Sequence, residues 1–148
     1  MRTILLKIAV LFLWQAVSLA AEVSTVSDGW ALSINSNSLN PAGTAGADFK
    51  DNFESLADET VLEVVAAGAW HITLARDGWS PGGSFVLEAG QSGSYTVIPQ
   101  EAPPGGTTFF SGTGNTTINC QYQLSNVHAA EVNTAAYSTT VTFTVIDD

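Results

Sequence analysis

The chain has almost no basic side chains, a single cysteine and only two histidines, and each scarcity closes off a class of function. A nucleic-acid surface neutralises phosphates with clustered Lys and Arg, and four such residues in 148 cannot build one. The same deficit excludes attraction to an anionic membrane surface. One cysteine, Cys120, rules out an intrachain disulfide, so stability must come from a buried core. The two histidines, His71 and His128, stand in no metal-ligand spacing. A serine nucleophile of the Gly-x-Ser-x-Gly kind needs a strand, a sharp turn and a helix, and around Ser92 the run Gly90-Gln91-Ser92-Gly93 breaks the spacing. The expectation is a protein with no catalytic site, no cofactor and no metal.

Export is the clearest positive feature. The chain opens Met-Arg-Thr-Ile-Leu-Leu-Lys, continues in an apolar run over residues 8–14, and reaches small residues at Ser18 and Ala20. A basic start, a short apolar stretch and small residues before the cut make a secretory leader. The run falls short of the roughly 20 apolar residues that span a bilayer. Cleavage is expected after Ala20, with Ala21 as the alternative. That divides the chain into a signal peptide, residues 1–20, and a single domain, residues 21–148, with no transmembrane segment. The destination is secreted, whether extracellular or periplasmic, with attachment at the cell surface included. Losing the leader removes Arg2 and Lys7 and leaves Lys50 and Arg76 against all fourteen Asp and Glu. Charged residues are only 12% of the chain and apolar ones 45%, the balance of a folded acidic domain rather than a disordered one.

Beyond the leader the apolar rhythm is mostly two, the period of a strand with one buried face. Trp30, Leu32 and Ile34 predict a first strand, and residues 35–46 a loop rich in Asn, Ser and Gly. Phe49, Phe53 and Leu56 fall at helical spacing, which predicts one short helix over residues 48–58. Residues 60–76 read as two strands bent at Gly68, the second burying Trp70, Ile72 and Leu74. Further short strands are expected at 84–88, 95–98 and 107–111. In residues 117–125, Ile118, Cys120, Tyr122 and Leu124 share the apolar face, so the lone thiol is expected to be buried. The last strand, residues 137–146, places Tyr137, Thr139, Val141, Phe143 and Val145 on one face. About seven to eight strands with frequent turns predict an all-β, antiparallel β-sandwich of immunoglobulin-like or pilin-like type.

Candidate recognition residues are few. Trp79 lies in the turn Asp77-Gly78-Trp79-Ser80-Pro81-Gly82 and, with Tyr95, is the candidate for stacking on a ligand ring, Asp77 and Gln91 supplying hydrogen bonds. The opposing reading folds Trp79 back as a cap on the sandwich. Asp48, Asp51, Asn52, Glu54, Asp58 and Glu59 form the one acidic cluster, with calcium as its functional reading and a solvated face as the plainer one. Asn115-Thr116-Thr117 fits the N-glycosylation sequon.

The C-terminal run Ala136-Tyr137-Ser138-Thr139-Thr140-Val141-Thr142-Phe143-Thr144-Val145-Ile146-Asp147 resembles the closing strand of bacterial cell-surface β-sandwiches, the fimbrial subunits and spore-coat-U-like secreted domains. The chain departs from chaperone–usher pilins in its single cysteine and in ending on Asp147-Asp148. The resemblance implies a secreted or surface-attached structural or adhesive protein, such as a fibre or matrix subunit, whose partners are its own copies or other surface proteins. Such subunits join by strand addition, and residues 22–28 are the weakly alternating candidate donor. A carbohydrate-binding module, with a glycan as partner, is the alternative.

Overall fold

The computed structural model describes residues 20–26, 29–101, 106–132 and 136–148; the expected leader, residues 1–19, lies outside them. Among the described residues there are eleven strands: β1 (Glu22–Thr25), β2 (Leu39–Asn40), β3 (Asp48–Phe49), β4 (Asn52–Glu54), β5 (Thr60–Val65), β6 (Ala69–Arg76), β7 (Val86–Gln91), β8 (Ser94–Val97), β9 (Thr108–Thr113), β10 (Thr116–Ser125) and β11 (Val141–Asp147). All pairings are antiparallel. One sheet has the order β1-β5-β10-β7-β8, with β4 continuing the β5 side of β10, and the second has the order β11-β6-β9. A two-stranded ribbon, β2-β3, stands apart. The all-β sandwich expected from the period of two is therefore the fold, with the short strands β1 to β4 added to those the alternation marks out.

The two sheets bury one face each against the other. From the first come Leu62 and Val64 of β5, Leu87 and Ala89 of β7, and Ile118, Cys120, Tyr122 and Leu124 of β10; from the second come Trp70, Ile72 and Leu74 of β6 and Phe110 of β9. Trp70, Leu62, Ile72, Leu74, Val64 and Cys120 are essentially sealed from solvent. Each such aliphatic or aromatic side chain stabilises the fold by about 1.5–3 kcal/mol. Cys120 is buried, as its place in the alternation requires, and burial pushes its thiol up to about 11.

One end of the sandwich is tied shut. The chain crosses between sheets twice there, after β5 and after β9, and the crossings clasp each other: Gly114 N donates to Gly68 O at 2.9 Å, Ala66 N to Asn115 Oδ1 at 3.1 Å, and the Trp70 indole to Gly114 O at 2.8 Å. The Trp70 ring lies across Gly112, where a Cβ would stand 2.6 Å from it, so only glycine fits. The sequon asparagine thus has a structural duty in this clasp. The C-terminus closes the same end, with Asp148 N donating to Ala69 O at 3.0 Å and its carboxylate 2.5 Å from His71 Nδ1. The β7–β8 hairpin turns on Ser92 (φ 52°) and Gly93 (φ 79°), the two left-handed residues of a type I′ turn, whose twist matches that of paired strands.

Two local expectations are overturned. Residues 48–58 form no helix but β3, β4 and a turn: Phe53 is buried against β10 while Leu56 stays 72% exposed, so the helical spacing was never backed by a continuous apolar stripe. Residues 30–34 form no strand; Trp30 instead stacks on Tyr122, with centroids 6.4 Å apart and planes 6° from parallel. The candidate donor pairs within its own domain, because Glu22–Thr25 are β1, hydrogen-bonded along β5; residues 27 and 28 lie outside the described residues.

Candidate functional site

Among the described residues the other end of the sandwich is open. Between the inner faces of the two sheets lies a cleft of about 920 Å³, at the upper end of the 300–1,000 Å³ range of ligand pockets. Its floor is Tyr122 and Leu124 of β10 and Leu87 of β7; one wall is Val141 and Phe143 of β11; the other is the unpaired segment that carries Trp30, Leu32 and Ile34. Trp79, Phe85 and Tyr137 complete an aromatic rim. The cleft persists because β11 starts late. The alternation of residues 137–146 leads one to expect a strand from Tyr137, but ladder pairing with β6 begins at Val141, opposite Arg76. Before it the chain is held by the bridge between Ser80 and Ser138 and by Asp77, whose N–H donates to Thr140 O at 2.9 Å and whose carbonyl accepts from Thr139 Oγ1 at 2.7 Å, and Ser138, Thr139 and Thr140 line the mouth.

Trp79 belongs to this rim and not to open solvent. Its indole N–H donates to Phe85 O at 2.9 Å, its ring meets Phe85 edge-on at 5.4 Å, and Phe85 in turn meets Tyr137 edge-on at 4.9 Å. The Arg76 guanidinium carbon sits 5.7 Å from the Trp79 centroid, a cation–π contact worth about 0.5–1 kcal/mol at a half-open site. Tyr95, the other stacking candidate, is on the β7–β8 hairpin and does not line the cleft. Its hydroxyl is shielded from water, and that loss of solvent, more than the nearby Glu54 and Glu88 charges, raises its pKa. Gln91 is occupied, donating to Asn119 O at 3.1 Å, and Asp77 does not line the cleft. The structure does not bring these four into one site. Trp30, Tyr122, Tyr137 and Phe143 read as apolar strand faces in the alternation; their gathering with Phe85 at one end depends on how the strands β10 and β11 and the unpaired segments around Trp30, Phe85 and Tyr137 pack together.

The floor is rigid. Tyr122 donates its hydroxyl to Thr60 Oγ1 at 3.0 Å, and its amide donates to Ser55 Oγ at 2.9 Å. Removal from water raises the Tyr122 phenol far above its usual range, so it faces the cleft as a neutral ring.

Asp48 and Glu54 of the acidic cluster, and His128, have structural partners. Asp48 Oδ1 accepts from Ala129 N at 2.7 Å and from Phe49 N at 2.8 Å, while Oδ2 lies 2.9 Å from His128 Nδ1. The Ala129 amide above all, then His128, lowers Asp48 to about 2, and the Asp48 hydrogen bond raises His128. These contacts moor the β2-β3 ribbon to the loop after β10. Glu54 of the acidic cluster accepts from Gln123 Nε2 at 3.1 Å, and among the described residues no group of three His, Cys, Asp or Glu side chains could hold a metal ion. The run Gly78-Trp79-Ser80-Pro81-Gly82 does carry the Gly-x-Ser-x-Gly spacing, which the sequence reading missed. Ser80 is tied backbone to backbone with Ser138 at 2.9 and 3.0 Å, and coil leading to β7 follows it instead of the helix a nucleophile elbow requires. Comparison with protein-family models, curated proteins and solved structures found no match.

Proposed function

We propose that the protein is an exported, non-catalytic structural or adhesive β-sandwich that associates with surface partners, its own copies included, through the open end of the sandwich. The observation that carries this reading is the conjunction of an apolar cleft with a sheet edge that has no ladder partner among the described residues. β11 is the last strand of its sheet, and its inward residues Val141 and Phe143 line the cleft. An unpaired edge offers backbone donors and acceptors to an incoming extended segment, and pockets beside it take alternate side chains. The export leader and the likeness of the closing strand to fimbrial and spore-coat-U-like domains support the same reading. Since β1 is already paired in its own sheet, the incoming segment is not residues 22–25 of a neighbour in their present form.

The test is native mass measurement and electron microscopy of the processed protein over a range of concentrations, beside the variant Thr142→Lys/Thr144→Lys. Both threonines are on the exposed face of β11, and added Lys discourages edge pairing. Concentration-dependent assembly, weakened by the variant, is the expected result. A strictly monomeric wild type with no surface association overturns it.

A carbohydrate-binding module is the second reading, favoured by Trp30, Trp79 and Tyr137 around one opening. Glycan-array binding lost on Trp79→Ala in a folded protein supports it; unchanged glycan affinity removes the site.

A further inference from the structure

We infer that export processing at Ala20–Ala21 produces a terminal ammonium that Asp147 is already placed to receive, so that maturation joins the first strand to the last. This rests on reading residues 1–20 as a leader, as the proposed function also does.

In β11 the inward positions are Val141, Phe143 and Val145, each packed against the core, and the next position of the same parity, exposed at the end of the strand, is Asp147. An acid there breaks the apolar alternation of the strand. It stands opposite Trp70 in the β6 ladder, at the closed end where β1 begins. Its two carboxylate oxygens lie 2.9 and 3.0 Å from one nitrogen, Ala21 N. As a peptide amide that nitrogen carries a single hydrogen and serves two acceptors poorly. Cut after Ala20, the same nitrogen becomes an ammonium with three hydrogens and a positive charge, and the two oxygens match it. The bond hydrolysed is the Ala20–Ala21 amide, water supplying the hydroxyl to the Ala20 carboxylate and the proton to the new amine. Of the two cut sites the leader allows, only this one leaves an amine at the nitrogen Asp147 contacts. Asp148 does not compete for it, since its carboxylate is on His71. The contact bridges the edges of the two sheets, β1 in one and β11 in the other, at the end opposite the cleft.

The experiment expresses the full precursor, wild type and Asp147→Asn, in an exporting bacterial host and recovers the processed protein. Intact mass should place the terminus at Ala21. The α-amine should react with an acylating reagent at neutral pH about two- to fivefold more slowly in wild type than in Asp147→Asn, because the carboxylate holds it protonated. High salt should narrow that gap, and Asp147→Asn should lower Tm by about 1–4 °C. A purely structural role for Asp147 would shift Tm and leave amine reactivity equal, which overturns the inference. An exported protein whose leader is removed elsewhere overturns it too while sparing the export reading; a retained, uncut precursor sinks both.

Discussion

Truncating Trp30 to alanine separates a seated cleft wall from a loosely attached one. Trp30 lies outside every strand, so no ladder holds it, and its anchorage is the parallel stack on Tyr122 at 6.4 Å. A fully buried aromatic costs about 3–5 kcal/mol on truncation. Trp30 is half-buried, which brings the burial part to about 1–2 kcal/mol, and the ring pair adds about 0.5–1.5 kcal/mol. The expected loss is therefore about 2 kcal/mol, or a fall in Tm of roughly 6–10 °C for a domain of this size. Urea unfolding followed by far-UV circular dichroism reads it, and an unchanged slope with denaturant shows that the unfolded state is not responsible. In a double-mutant cycle with Tyr122→Leu, about 0.5–1.5 kcal/mol of coupling should remain. Leu56→Ala, at a side chain 72% exposed, should change stability by less than about 0.5 kcal/mol. If Trp30→Ala behaves like Leu56→Ala, the segment is not seated on Tyr122 and the cleft has no second wall.

Two further outcomes follow from the polar groups. The Cys120 thiol, sealed between the sheets and pushed up to about 11, should react with a disulfide reagent at pH 8 about a hundredfold or more slowly in the native than in the unfolded protein; comparable rates would mean that it is not between the sheets. The Asp48–His128 mooring should hold best between about pH 4 and pH 6.5: Asp48, lowered to about 2, contributes above its ordinary value of 3.8 and loses that as pH falls through 2, whereas His128, raised, contributes below 6.5 and loses that as pH rises through its folded value. An NMR titration of the His128 ring and the Ala129 amide reads both, and Asp48→Asn should return His128 toward 6.5; a wild-type His128 titrating at or below that value refutes the contact.

The order of side chains along the chain was enough to determine the class of fold. The period of two in residues 60–76 and 117–125 places Trp70, Ile72, Leu74, Cys120 and Tyr122 inside, because on a strand a residue's parity decides its face whatever its neighbours. Scarcity of Lys, Cys and His was equally legible, since composition needs no folding to be read. Where parity is shared by few residues the local pattern lost to tertiary context. Phe49, Phe53 and Leu56 suggested a helix, but pairing of Asn52–Glu54 with β10 satisfies the backbone there. Trp30, Leu32 and Ile34 suggested a strand, but Trp30 found a ring to stack on and residues 30–34 found no edge. Only the three-dimensional arrangement could show that Trp79 caps one opening while Tyr95 sits elsewhere, that β11 has no ladder partner on its outer side among the described residues, and that Asp147 meets Ala21 across 126 residues. Such contacts depend on which strands become neighbours, and that is decided by the packing of the whole chain rather than by the pattern within any one strand.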